Sequence, residues 1–305
     1  MNAWTEHVDG DRPAGSSLRP FVYRIAFLFA LLMPAASCRH APVESGADLA
    51  SARRWWILIG ASSLIEAVDW REAGRDAQVV ILAGDTRIPL DDFPRGTARL
   101  SYLSVGEADP RRGYWSEVQG ASFLVEPDPS WPGSVRVDLR DPNWQRILLQ
   151  QEIPLLLGRG FDGLMLDTID TAPYLERQDP VRFAGARRAL TELVRAIRQQ
   201  HPQTPILANG INALSDVAPF VDGFVVEGVF ATYDFGRRLY RETTGQERDF
   251  KLAQIAAALA VARHPVFTIE YADVGDVALA HWATGESERH GFHPYVAVKD
   301  LNMPP

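Results

Sequence analysis

The chain has a single cysteine, Cys38, among its 305 residues, so it can form no internal disulfide. Its seven histidines make no H-x-H or H-E-x-x-H pattern, which argues against a zinc or di-metal hydrolase and leaves no metal site to assign. No Gly-x-Ser-x-Gly elbow is present and Cys38 precedes the folded part, which argues against a serine or cysteine nucleophile. The turn Gly60-Ala61-Ser62-Ser63 is a poor phosphate loop, and no cofactor is expected. Positive charge is not in excess. Lys and Arg total 31 against 39 Asp and Glu, a net charge of −8 that disfavours nucleic acid and suits neutral or cationic partners.

Long hydrophobic runs are missing too. The apolar stretch over 21–33 is too short and too interrupted to span a bilayer. It follows Arg12 and Arg19 and precedes Ala35-Ala36-Ser37-Cys38, which resembles a bacterial lipoprotein signal with Cys38 as the lipid attachment site. Ala35 stands where such signals usually carry Leu, and an ordinary secretory peptide cut at the same small residues is the plainer reading. Either way the expectation is export to the cell envelope, periplasm or medium, with membrane contact only through a lipid. Residues 1–37 are then a signal peptide, 38–54 a polar tether, and 55–305 one folded domain.

What is there is a repeat of one local idea. Asp162-Gly163-Leu164-Met165-Leu166-Asp167 opens on an Asp-Gly turn, runs apolar and stops at an acid. Asp222-Gly223-Phe224-Val225-Val226-Glu227 does the same at the same offset. Each reads as a buried strand with a carboxylate at its carboxyl end, while Asp162 and Asp222 read as turn residues at the opposite face. Other strands are expected at 55–59, 78–83, 99–105, 205–209, 266–270 and 292–298. Helices are expected at 64–75, from the Asp141-Pro142 cap to 157, and at 182–200, 246–263 and 274–290, with a long insert over 108–140. About eight strands alternating with helices predict an α/β fold, a (β/α)8 TIM barrel, against a doubly wound sheet as the competitor.

Active sites of such barrels lie at the carboxyl ends of the strands. Those ends offer Asp85, Glu107, Asp109, Asp167, Asp170, Asn209, Glu227 and Glu270, a rim rich in carboxylates. Paired carboxylates most commonly hydrolyse glycosides, and Asp167 and Glu227, one strand apart, fit either the retaining or the inverting spacing. Glu270 suits a supporting partner as well as a ligand, and Asp170 a helix cap as well as a ligand. Tyr102, Tyr114, Trp115, Tyr174, Tyr233 and Tyr271 lie near strand ends, where they could stack on sugar rings or simply pack the core.

Six segments in order carry a resemblance. They are Tyr102-Leu103-Ser104-Val105-Gly106-Glu107-Ala108, Tyr114-Trp115, Gly160 through Asp170, Ala208-Asn209-Gly210, Val221 through Glu227, and Phe267-Thr268-Ile269-Glu270-Tyr271. Together they resemble the endo-α-1,4-polygalactosaminidase family of glycoside hydrolases (family 114-like), over about 55–298. The resemblance implies a (β/α)8 barrel that cleaves polymers of galactosamine and N-acetylgalactosamine, with catalytic acids at Asp167 and Glu227. The substrate-binding candidates, read from the strand ends and their aromatics, are Tyr102, Glu107, Asp109, Tyr114, Trp115, Asp170, Asn209, Glu270 and Tyr271. Asp167 is assigned as nucleophile and Glu227 as acid/base. The polysaccharide partner would be cationic, as the charge balance suits. The second strand departs from the family habit, since Ala83-Gly84 intervene before Asp85. A non-catalytic glycan-binding barrel, or a hydrolase of another amino-sugar polymer, is the alternative.

Overall fold

The structure is a computed structural model, and it describes residues 49–60 and 68–303. The expected signal peptide, Cys38, most of the tether and the start of the 64–75 helix lie outside the described residues. Strands β1 (Trp55–Leu58), β2 (Val79–Ala83) and β3 (Ala98–Ser104) come first. Next come β4 (Glu107–Ala108), β5 (Leu124–Pro127) and β6 (Val135–Val137), an antiparallel sheet inside the expected insert. Then follow β7 (Gly163–Asp167), β8 (Ile206–Asn209) and β9 (Gly223–Glu227), and a hairpin of β10 (Ala231–Asp234) and β11 (Leu239–Glu242). Last are β12 (Val266–Tyr271) and β13 (His293–Ala297).

The main sheet runs β1-β2-β3-β7-β8-β9-β12-β13, in chain order, with every pair parallel. A doubly wound sheet would reverse direction at a switch point, and this one does not. Its edges meet where the Trp55 indole donates to His293 O at 2.9 Å and Ile59 N to Leu301 O at 3.0 Å. The protein is a (β/α)8 barrel.

Nine α-helices surround it among the described residues: α1 (Trp70–Ala73), α2 (Trp115–Val118), α3 (Pro142–Ile147), α4 (Ile153–Gly158), α5 (Thr171–Gln178), α6 (Ala186–Gln200), α7 (Leu214–Val217), α8 (Gly245–Val261) and α9 (Val277–Arg289). Local chemistry sets their ends. Asp141 accepts from Asn143 N and Pro142 opens α3, as the sequence predicts. The helix continues through a π turn over Leu148–Glu152 into α4, where Pro154 has no N–H to give a regular bond. Thr244 and Glu247 exchange bonds in a capping box at α8. The helix expected from residue 182 starts instead at Ala186, because Gly185 takes a φ of 84°.

Alternation along the strands divides the core in two. Ile57, Ile81, Leu100, Met165, Leu207, Val225, Phe267 and Ile269 pack together inside the barrel. Leu58, Leu82, Leu164, Leu166, Ala208, Phe224 and Val226 pack instead with helical residues such as Leu190, Leu193 and Ile197. Because β side chains alternate faces, one step of two beyond each interior residue stays on the interior side. That arithmetic places the site.

Candidate active site

Two residues past Leu100, Met165, Leu207, Val225 and Ile269 stand Tyr102, Asp167, Asn209, Glu227 and Tyr271. All five rise from the barrel interior at its carboxyl end. The Asn209 amide ties them together: its Nδ2 donates to Asp167 Oδ1 at 3.0 Å and to Glu227 Oε1 at 2.6 Å. Both acceptors sit on one nitrogen, so those oxygens lie no farther apart than about 5.6 Å, within reach of the roughly 5–5.5 Å of retaining glycosidases. Tyr271 Oη donates to the other oxygen of Glu227 at 2.5 Å. The Tyr102 hydroxyl and the Thr168 backbone N–H lie close enough to Asp167 to favour its charge. Burial, and then the charge of Glu227, push the Asp167 carboxyl up to about 7. Burial first, then the neighbouring acids, keep both tyrosine hydroxyls well above their ordinary range, so they act as neutral donors.

The backbone around the pair is shaped for it. Thr168 follows Asp167 with φ 59°, an outlier for a β-branched residue. Its Oγ1 holds that conformation by accepting from Gly106 N at 2.8 Å and bonding Ser104 Oγ at 2.8 Å. A Cβ on Gly106 would stand 2.2 Å from Thr168 O, so only glycine lets these loops approach. After Glu227, Gly228 turns with φ 58°, and half-buried Lys251 Nζ donates to the carbonyls of Glu227 and Gly228 at 2.8 and 2.7 Å.

A cleft of about 680 Å³ opens over the pair, the size of a small-molecule site. It is lined by eight acids, Glu107, Asp109, Asp128, Glu152, Asp167, Asp170, Glu227 and Asp300, and by five basic residues, Arg111, Arg112, Arg136, Arg177 and Lys299. Negative charge prevails, but the sequence expectation of a rim of carboxylates understated the arginines. They neutralise the outer acids: Arg111 pairs with Asp109 at 2.7 Å, Arg112 with Asp85 at 3.1 Å and Arg136 with Asp128 at 3.1 Å. Glu107 is buried beside Asp128 and accepts from Ser134 Oγ at 2.6 Å. Burial chiefly, with the Asp128 carboxylate, pushes Glu107 up to about 7. Arg136 lies 4.2 Å over the Tyr174 ring.

Of the residues singled out in the sequence, Tyr102, Glu107, Asp109, Tyr114, Asp167, Asp170, Tyr174, Glu227 and Tyr271 line the cleft. Tyr114 is buried, and its hydroxyl accepts from Asp109 N at 3.1 Å. Asp170 accepts from Asn212 N at 2.8 Å and holds the loop after β8 rather than capping α5 with its side chain. Asn209 reaches the pair from beneath. Trp115 does not line the cleft; it packs against the core between barrel and helices. Glu270 does not reach the cleft either. It falls on the helix-facing side of β12, fully buried, and accepts from Phe230 N at 2.9 Å, Ala231 N at 2.8 Å and Ser287 Oγ at 3.0 Å. The alternation Phe267, Ile269, Tyr271 was the signal that separates Tyr271 from Glu270. Asp85 is exposed at the margin, paired to Arg112. Asp162 and Asp222 sit at the opposite face, where Asp162 clamps Arg99 at 2.8 Å and Asp222 holds Arg198 at 2.5 Å. Sequence reasoning did not find Thr168 as a holder of Asp167, or Lys251, Ser134, Arg136 and Trp131.

The model of glycoside-hydrolase family GH114 matches residues 89–304, more than half of the chain. The chain belongs to that family. It is therefore a glycoside hydrolase, and the match covers β3 through β13 with the whole Asp167–Asn209–Glu227 group. A protein of Deinococcus radiodurans is 31% identical over 218 residues, covering 68% of this chain and 66% of that one. One of Thermotoga maritima is 26% identical over 227 residues, covering 68% and 67%. This chain thus spans about two thirds of the length of each. Among solved structures, the glycoside hydrolase domain of PelA from Pseudomonas aeruginosa is similar, with TM-score 0.69 and 23% identity over 83% of this chain and 97% of that one. Aspergillus fumigatus Ega3, solved as a complex with galactosamine, follows at TM-score 0.59 and 16% identity over 82% and 93%. At these identities the likeness shows the fold.

Proposed function

We propose that this glycoside hydrolase cleaves α-1,4-linked polymers of galactosamine and N-acetylgalactosamine with retention of configuration. The observation that supports the mechanism is the single Asn209 amide shared by Asp167 and Glu227, which keeps one oxygen of each within about 5.6 Å of the other, close to the retaining spacing. Asp167 is the nucleophile. The Asn209 amide donates to it, and Tyr102 and Thr168 beside it offset part of the burial that raises it. Glu227 is the acid/base. Asp167 Oδ attacks the anomeric carbon, the glycosidic C–O bond breaks, and the Glu227 proton passes to the leaving oxygen. Glu227 then takes a proton from water, whose oxygen attacks the same carbon and releases Asp167.

The substrate class is supported by charge. The net charge is −8 and acids outnumber bases in the cleft, so a chain carrying free amines is attracted and held. An ammonium group near Asp167 also favours the carboxylate needed for attack. Export fits a polysaccharide outside the cell, with 1–37 as signal, Cys38 as lipid attachment and 55–305 as the hydrolase domain. No helix among the described residues is long and apolar enough to cross a membrane.

Two measurements follow. Proton NMR of the first product formed should show the α anomer, and a β anomer would overturn retention. The pH dependence has a definite sign. Burial and the charge of Glu227 raise Asp167 to about 7. Asp167 attacks only as the carboxylate, so kcat/KM should rise about tenfold per pH unit up to about 7. A profile flat from about pH 5 to about 7 would contradict Asp167 as the attacking carboxylate.

A further inference from the structure

The third and sixth strands of the barrel, β3 and β9, stand apart around its mouth with β7 and β8 between them on one side. The segments that follow them nonetheless touch. Trp131, in the turn between β5 and β6, meets Phe235, at the tip of the β10–β11 hairpin, edge to face with ring centroids 6.3 Å apart and planes at 79°. These are among the most exposed large apolar side chains described, at 47% and 55%. Trp131 lines the cleft and Phe235 does not. Each arm is fixed at its base. Ser134 and Asp128 hold the first through Glu107 and Arg136. Tyr240 holds the second by accepting from Lys299 N at 3.2 Å, with Lys299 Nζ 5.4 Å from the Tyr233 ring centre.

Two arms, each anchored at its base, thus touch through exposed aromatic tips, one of which lines the cleft that holds the acids, and form a bridge at its mouth. An exposed edge-to-face pair is a weak contact, so it can part and re-form. A short oligosaccharide can enter beside such a bridge, whereas the interior of a long chain passes beneath it only when the tips part. Once they close, the chain is enclosed, and Trp131 offers it an aromatic face.

We propose that Trp131 and Phe235 form a clasp that closes over a bound polysaccharide and retains it between cleavages, so that several cuts follow each encounter. The proposal rests on the hydrolase reading above. Phe235→Ala is the clean probe, because Phe235 touches Trp131 and Tyr233 and lies outside the cleft. Galactosamine polymer is digested by wild type, Phe235→Ala and Phe235→Trp, and the oligosaccharide released is compared with the fall in polymer length. The expected result is several-fold less oligosaccharide per chain shortened for Phe235→Ala and recovery in Phe235→Trp. Tm and the rate on a short chromogenic galactosaminide should be unchanged in both. An unchanged ratio in Phe235→Ala, with active wild type, overturns the clasp alone. A drop on polymer and short substrate alike also overturns it and makes the contact structural. No reducing ends from folded wild type overturns the hydrolase reading, and the clasp with it.

Discussion

Glu227→Gln should lower kcat/KM on polymer by about 10²–10⁴-fold, the usual worth of a placed general acid–base. The glutamine keeps the shape, one oxygen to accept from Asn209 and an amide N–H to donate to Tyr271 Oη, so Tm should stay near the wild-type value. What is lost is the proton delivered to the leaving oxygen. An activated aryl galactosaminide needs less of that proton, and its first step should survive better. Deglycosylation then stalls, and azide, which needs no base, should restore turnover and give a glycosyl azide of retained configuration. The corresponding Asp167 variant should instead yield azide product of inverted configuration, because azide takes the place of the missing nucleophile. Reversal of the two azide outcomes would exchange the roles of the acids. Absence of rescue in both would remove the covalent step.

Glu270→Ala carries the second large effect, and it falls on stability. The side chain is fully buried and satisfies the N–H groups of Phe230 and Ala231 and the hydroxyl of Ser287. Truncation strips the acceptor from two buried backbone donors and leaves a cavity, about 3–5 kcal/mol together. For a domain of this size that lowers Tm by about 10 °C. Phe230 and Ala231 join Glu227 to the hairpin that carries Phe235, so activity should fall as well. Glu270→Gln keeps an oxygen for both N–H groups and an amide for Ser287. Burial raises the Glu270 pKa, which means that its charge is costly in the fold, so the neutral variant should hold Tm within about 2 °C at pH 7. Had Glu270 bound substrate, as its place at a strand end suggested, glutamine would raise KM with Tm unchanged. Calorimetry beside initial rates separates the two.

The barrel was legible because its signal is local. Asp162-Gly163 and Asp222-Gly223 each open an apolar run of strand length, and Asp167 and Glu227 are indeed the last residues of β7 and β9. Strand and helix alternated at the spacing a parallel sheet requires, and the sheet order follows the chain. What the sequence hid was non-local. The antiparallel pairing of β5 with β6 sits in a stretch whose Trp, Pro and Asp content reads only as loop. The β10–β11 hairpin interrupts what looked like a direct path from Glu227 to the next helix. Lys251 is one cation on a mostly exposed helix, and nothing in its neighbours says that it reaches back to the Glu227 carbonyl. Glu270 shows the opposite case. Period-two alternation in Phe267-Thr268-Ile269-Glu270-Tyr271 would have sent it away from the cleft, had the strand end not drawn more notice than the face. The arginines escaped because charge was counted along the chain, whereas Asp85 and Arg112 pair across two loops.

The most direct test is reducing-end release from partly deacetylated α-1,4-galactosamine polymer by wild type, Asp167→Asn and Glu227→Gln, with folding of each confirmed by circular dichroism. The expected result is oligosaccharide from wild type and at least a hundredfold less from either variant. Release by both variants at the wild-type rate would place catalysis elsewhere in the barrel. Binding of the polymer by folded wild type without any release would contradict the hydrolase on this substrate and leave a barrel that only holds glycan.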